Sequence, residues 1–215
     1  MTTNVDGEQG RTKGTIELVL GSLVNEDVAA IIAPAGQACG SFGRTQLAIH
    51  RAAGPGLAQE YEDCIGKLPG GRLNPFEHIV TAGHALRARY VVHCSLLEAR
   101  EAGEHAEAAL ASCLEDVFET CRSLGVDSVA LPALGTGACG YRTSMVARVS
   151  MRCAVAAQRH LAGPSRIRFL LAGPATLESF LHALSSTERG KMTQTSRCGR
   201  VSVRLGMWRP RADTK

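Results

Sequence analysis

The chain has 215 residues, 45% hydrophobic and 20% charged, close to an ordinary soluble globular protein. No run approaches the roughly 20 apolar residues of a membrane helix, and the polar opening MTTNVDGEQGRTKG lacks the apolar stretch of an export signal, so a cytoplasmic protein without membrane contact is expected. The net charge of +4 is divided unevenly: residues 185–215 carry eight Lys/Arg against Glu188 and Asp213, while the rest holds 16 basic and 18 acidic residues.

Short β-type runs alternate with helical patterns through residues 14–184. Strands are expected at 15–20, 28–33, 77–82, 90–94, 128–131 and 166–171, each rich in Val, Ile or Leu and most bounded by Gly, Pro or Asp. Helices are expected at 46–53, interrupted by Gly54-Pro55-Gly56, then at 57–64, 104–124, 144–161 and 176–184. The helix over 104–124 has the clearest period. Ala106, Ala109, Leu110, Cys113, Leu114, Val117, Phe118 and Cys121 recur at three and four, while Glu107, Glu115, Glu119 and Arg122 mark the opposite face. Gly125 stands where a helix ends, and Thr176 with Glu178 fits the start of the last one. Alternation of this kind implies an α/β fold, a three-layer α/β/α sandwich around a mixed sheet, built as one domain.

Residues 1–13 and the basic 185–215 stretch fall outside that pattern and are expected to be flexible extensions, the second suited to a weak polyanion contact. The eight cysteines (Cys39, Cys64, Cys94, Cys113, Cys121, Cys139, Cys153 and Cys198) form no C-x-x-C pair and mostly lie in apolar runs, as reduced core thiols do. His78, His84, His93 and Cys94 are close in sequence but match no zinc spacing, so no metal is expected, and no cofactor.

Two loops carry the chemistry. The late one, in Val129-Ala-Leu-Pro-Ala-Leu-Gly135-Thr-Gly-Ala-Cys-Gly-Tyr141, leads from a strand into a helix. Glycines there let backbone N–H groups approach a phosphate, and the helix dipole adds to the attraction. Gly135, Gly137 and Gly140 match G-x-G-x-x-G, but the loop falls late and no acidic residue follows the next strand to hold a ribose, which argues against a dinucleotide-binding Rossmann unit. No Gly-Lys-Ser/Thr follows either, excluding a Walker loop. The early one, from Ala33 through Gly36, Gly43 and Arg44 to His50, is likewise strand, small-residue loop and helix start. Two such loops facing across a crevice suit a ligand with two phosphates.

The chain here resembles the macrodomain family, modules that bind ADP-ribose. The matching pieces, in order, are Ile16-Glu-Leu-Val-Leu-Gly21, Val28-Ala-Ala-Ile-Ile-Ala33, Ala48-Ile-His-Arg-Ala-Ala-Gly54, Ile79-Val-Thr-Ala-Gly83, Arg89-Tyr-Val-Val-His93 and Leu131-Pro-Ala-Leu-Gly-Thr-Gly137. The resemblance implies a ligand, ADP-ribose or an ADP-ribosylated protein, clamped between the loops. Its contacts would come from Ser22 and Leu23 after the first strand, and from Ala35, Gly36, Gly43, Arg44 and Thr45 on the early loop. The late loop would supply Gly135, Thr136, Gly137, Ala138, Cys139, Gly140 and Tyr141.

The chain also departs from the family's pattern. Ser22 replaces the Asp that accepts from adenine, and Ala33-Pro34-Ala35-Gly36 stands where Asn-Ala-Ala-Asn is usual. Gln46 occupies the place of an Asp found in hydrolytic members, Ala172 that of an adenine-stacking aromatic, and Arg44 that of a glycine. Losing one hydrogen bond to a charged group costs about 1.5–3 kcal/mol, or roughly tenfold to a hundredfold in affinity. These residues favour a binder. The alternatives are an ADP-ribosyl hydrolase with an atypical site and an interaction module that has lost its ligand. No catalytic residue is assigned: Cys139 reads as a nucleophile or a small loop filler, and His50 and His93 as bases or core histidines.

Overall fold

The computed structural model describes residues 14–36, 43–159, 163–187, 192–197 and 200–205, the last two stretches as backbone alone. Its six central strands are β1 (Thr15–Leu20), β2 (Ala30–Ala35), β3 (His78–Ala82), β4 (Tyr90–Ser95), β5 (Ser128–Pro132) and β6 (Arg166–Leu171). They lie in the order β3-β4-β2-β5-β6-β1, parallel except for β3. The helices are α1 (Arg44–Ala53), α2 (Pro55–Gly66), α3 (Ala99–Ala102), α4 (Ala106–Ser123), α5 (Thr143–Arg159) and α6 (Pro174–Thr187). The sandwich expected from the sequence is present.

Parallel strands covered on both faces need apolar side chains in both directions, and β1 shows how. Ile16 and Leu18 join the layer of α4, α5 and α6, where Phe169 of β6 meets Phe180 of α6 with ring centroids 5.2 Å apart. Val19 turns to the opposite face, with Ile31, Ala33, Val91 and Leu170, beneath Ile49 of α1 and Leu57 of α2. Each such side chain, fully buried, contributes about 1.5–3 kcal/mol.

A buried charged pair interrupts that second face. Arg168 on β6 is 2% exposed and stands in register with Glu17 of β1 on one side and with the small Ala130 of β5 on the other. It pairs with Glu17, and its Nε lies 2.5 Å from Glu26. Glu26 belongs to the connection from β1 to β2, which crosses β6 and β5 with a single 3-10 turn at Leu23–Asn25. The buried ion pairs tie that helix-poor crossover to the sheet.

Several boundaries differ from expectation for local reasons. β2 runs two residues later than 28–33, because the Ala29 N–H donates to Ser128 Oγ and not to a ladder partner. The expected helix over 104–124 starts at Ala106; Gly103, at φ 55°, separates it from α3 and a 3-10 turn at Gly103–His105. Its end is as read: Gly125 adopts φ 63°, and the N–H groups of Gly125 and Val126 return to the carbonyls of Arg122 and Cys121. α6 opens at Pro174, a residue suited to the first helical position. Thr176 therefore lies inside the first turn and does not cap it, and Glu178 lies beyond that turn.

The stretch expected to be an irregular extension is partly regular. Met192–Arg197 (β7) and Arg200–Leu205 (β8) form an antiparallel pair, and β8 adds antiparallel to β1. β1 would otherwise be an open edge, and the β-branched Thr193, Thr195, Val201 and Val203 recur at period two, a strand pattern shortened by the breaks around it. Trp208 and the N-terminal 1–13 lie outside the described residues.

Candidate functional site

The loops take their positions from topology. After β2 the chain passes to α1 on one face of the sheet; after β5 it passes to α5 on the other. Adjacent parallel strands whose connections leave to opposite faces open a crevice at their carboxyl ends. β2 and β5 pair only through Ala30 with Val129 and Ile31 with Ala130, whereas the ladder from β2 to β4 continues to Ala35 and Ser95. The β2–β5 ladder thus ends well short of the β2–β4 ladder, and the connections after β2 and β5 leave from that open end of the seam.

The late loop is self-supporting. Thr136 N–H and its hydroxyl both reach Ala133 O, Gly140 N–H reaches Gly137 O, and Tyr141 N–H reaches Gly135 O. The Tyr141 ring is 3% exposed and lies directly beneath Gly135, which adopts φ 85°; a Cβ there would come 2.1 Å from the ring. Tyr141 thus shapes the loop from below. Gly137, Ala138 and Gly140 are exposed and Cys139 is half-buried. Among the described residues, the N–H groups of Gly137, Ala138 and Cys139 have no partner within the chain.

The early loop ends at Gly43, the exposed N-cap of α1, with no side-chain cap and no acidic residue in the first turn. Its first-turn N–H groups have no acceptor among the described residues and, with the helix dipole, suit an anion; Arg44 adds an exposed positive charge. Thr45 is half-buried and Gln46 is 1% exposed. Gln46 Oε1 accepts from Gly36 N–H at 3.0 Å, while Tyr61 of α2 donates its hydroxyl to Gly36 O at 3.2 Å. Gly36, placed among the ligand contacts by the sequence, therefore has its backbone engaged on both sides. Residues 37–42, with Cys39, lie outside the described set.

Ser22 is exposed past β1, but Leu23 is 4% exposed and packs into the core, leaving only its main chain for a ligand. Ala172 is exposed beyond the neighbouring β6. Ala35, half-buried, is the last residue of β2.

Beneath Gly36 lies a polar nest. Tyr61 and His93 have ring centroids 4.8 Å apart, and His50 meets each edge-on at 5.3 and 5.8 Å. His93 is fully buried with Nε2 2.9 Å from Thr81 Oγ1, and burial, with His50 adding to it, pulls its pKa down to about 3. It is a neutral core histidine at any ordinary pH. Burial also lowers the pKa of His50. Burial raises that of the Cys139 thiol, with Glu98 reinforcing the shift, which opposes the nucleophile reading. Tyr61 is the residue that the sequence reading did not single out. Leu57, Tyr61 and Ile65 recur at four and mark a buried stripe, and the hydroxyl there was the one signal of a polar partner.

The six described cysteines are free thiols. Among the described residues no group of three or more His, Cys, Asp or Glu is placed to hold a metal, and no helix is long and apolar enough to cross a membrane.

A three-layer α/β/α module with its opening at a sheet switch point, flanked by a glycine loop and an uncapped helix start, is a defined class of small domain. The Macro domain model matches residues 39–150, just over half of the chain, and the chain belongs to that family. A macro domain-containing protein of Caldanaerobacter subterraneus is 29% identical over 181 residues, covering 82% of this chain and 99% of its own length. One from Methanosarcina mazei is 33% identical over 138 residues, 63% of this chain and 70% of its own. Among solved structures, the Oceanobacillus iheyensis macrodomain with ADP superposes at a TM-score of 0.73, with 23% identity and coverage of 82% of this chain and 93% of that one. A variant of that macrodomain with ADPR gives the same score at 22% identity, covering 82% and 95%.

Proposed function

We propose that the chain binds ADP-ribose, free or attached to protein, with the diphosphate between the late loop and the start of α1. The observation that carries this reading is the set of three N–H groups at Gly137, Ala138 and Cys139, unpartnered among the described residues, on the loop after β5, while the uncapped start of α1 follows the neighbouring strand β2. Main-chain donors at a helix start are a phosphate site needing no particular side chain. The Oceanobacillus relatives solved with ADP and with ADPR support the same ligand class. The adenosine end would lie toward Ser22, Leu23 and Ala172, and the terminal ribose toward Ala35, Gly36 and Gln46.

The same reading favours a binder over a hydrolase. Hydrolysis needs a group that takes a proton from water beside the ribose, and the side chain bonded to Gly36 is a carboxamide, which has no such capacity. Cytoplasmic residence and ADP-ribosylated proteins as partners belong to the same reading.

Calorimetric titration of the full chain with ADP-ribose, with AMP and ribose 5-phosphate as controls, tests it. Micromolar binding of ADP-ribose, weakened at least about tenfold by Arg44→Glu, is the expected result. No heat up to millimolar ADP-ribose overturns the reading.

A further inference from the structure

The β7–β8 pair sorts its residues by face. Arg197 stands opposite Arg200, Thr195 opposite Ser202, and Thr193 opposite Arg204. Directly opposed residues share a face, as do residues two apart along a strand. Three arginines and three hydroxyl residues therefore occupy one face of the pair. Val201, Val203 and Leu205 fall on the other, and no Asp or Glu occurs between Met192 and Leu205. Without that sorting the +6 charge of residues 185–215 would be only a property of composition; the register turns part of it into a surface.

The pairing with β1 says which side of the sheet this is. Arg200 stands opposite Val19, which packs beneath α1 and α2, and Arg204 stands opposite Thr15. Thr15 is also in register with Arg166 of β6, so one cross-strand row carries a further arginine. The acids nearest that row are already engaged: Glu17 by Arg166 and Arg168, and Glu26 by Arg168. The principal neighbours of β8 are strands, β1 and β7, and no described helix packs comparably on the pair.

We propose that this face is a second binding surface, separate from the crevice, for the phosphate backbone of a nucleic-acid duplex. Arginine and hydroxyl groups are the side chains that contact phosphate oxygens, and such contacts carry no sequence information. No aromatic residue occurs between Met192 and Leu205, so there is nothing on which an unpaired base would stack. A lipid surface calls for apolar residues on the binding face, and here they are sorted to the opposite one.

Fluorescence anisotropy of the full chain with a mixed-sequence 20-base-pair DNA duplex, over a range of salt, tests this. The expected Kd is about 1–100 μM near physiological salt, and log K falls against log salt by about 0.9 for each phosphate contacted. The decisive variant moves charge between faces at constant net charge: Arg200→Gln and Arg204→Gln combined with Gln194→Arg and Ser196→Arg. It is expected to bind at least about tenfold more weakly, with a slope shallower by about 1.8. If urea unfolding shows that this variant is destabilised, Arg200→Gln and Arg204→Gln are measured singly, each expected to remove about 0.9 from the slope. A charge-moved protein that is stable and binds as wild type does, or single variants with unchanged slope, overturns the proposal and leaves only a basic tail. Tighter binding to phosphatidylserine vesicles than to the duplex, or no binding to the duplex at low salt, overturns it as well. Titration with ADP-ribose is expected to be the same for all these proteins, so this result and that of the crevice are read independently.

Discussion

The two loops flanking the crevice are held in opposite ways. The late loop closes on itself through main-chain bonds and rests on the Tyr141 ring; the early loop is pinned at Gly36 by side chains from two helices. Main-chain closure fixes a shape almost regardless of the residues between the glycines. Side-chain pinning makes the other loop depend on named groups, Gln46 and Tyr61, and so open to retuning by single substitutions. The first design preserves a general grip, whereas the second can adjust what is gripped.

Gly135→Ala attacks the self-closed loop and carries the largest expected effect. The new Cβ meets the Tyr141 ring at 2.1 Å in a φ 85° conformation that side chains rarely adopt. Stability is expected to fall by more than about 2 kcal/mol, with ADP-ribose binding lost. Urea unfolding and calorimetry read both, and a variant that keeps wild-type stability would break the account of that loop.

Acid tests the nest under the early loop. An unfolded His93 takes its proton near pH 6.5, but the folded one takes it only near 3. The unfolded chain thus binds more protons between those values. The stability that His93 contributes is complete above about pH 6.5 and is lost as pH falls toward 3, with about 2 kcal/mol gone by pH 5. Unfolding curves of wild type and His93→Gln across pH 7 to 5 should show a shallower slope for the variant; equal slopes would remove His93 from the account.

Tyr61→Phe makes the smallest change, deleting the hydroxyl that donates to Gly36 O. A loss of about 1 kcal/mol is expected, together with weaker ADP-ribose binding, because the early loop loses one of its two pins. If affinity is unchanged, Gln46 alone sets that loop.

The strands, the two faces of α4 and the turn of the late glycine loop were legible in the sequence because each is a local pattern: apolar runs, a three-four period, or glycines after a strand. Three features were not legible, since each depends on residues far apart in the chain. Gly36 meets Tyr61 across 25 residues, and Arg168 meets Glu17 across 151. The β8 strand finds β1 because that edge is open in three dimensions, which nothing in the short, glycine-flanked pattern of 192–205 announces. The departure at Gln46 was visible as a residue type, but its hold on Gly36 needed the 3.0 Å contact to become apparent.

The β2–β5 ladder stops after two residue pairs, so the crevice begins as an interruption in hydrogen bonding between neighbouring strands. An opening walled by main chain is nearly blind to mutation. Descendants of such a domain can replace many side chains and still inherit the slot. What drift can alter is the furniture at its corners, where a single amide or carboxylate decides what may sit down.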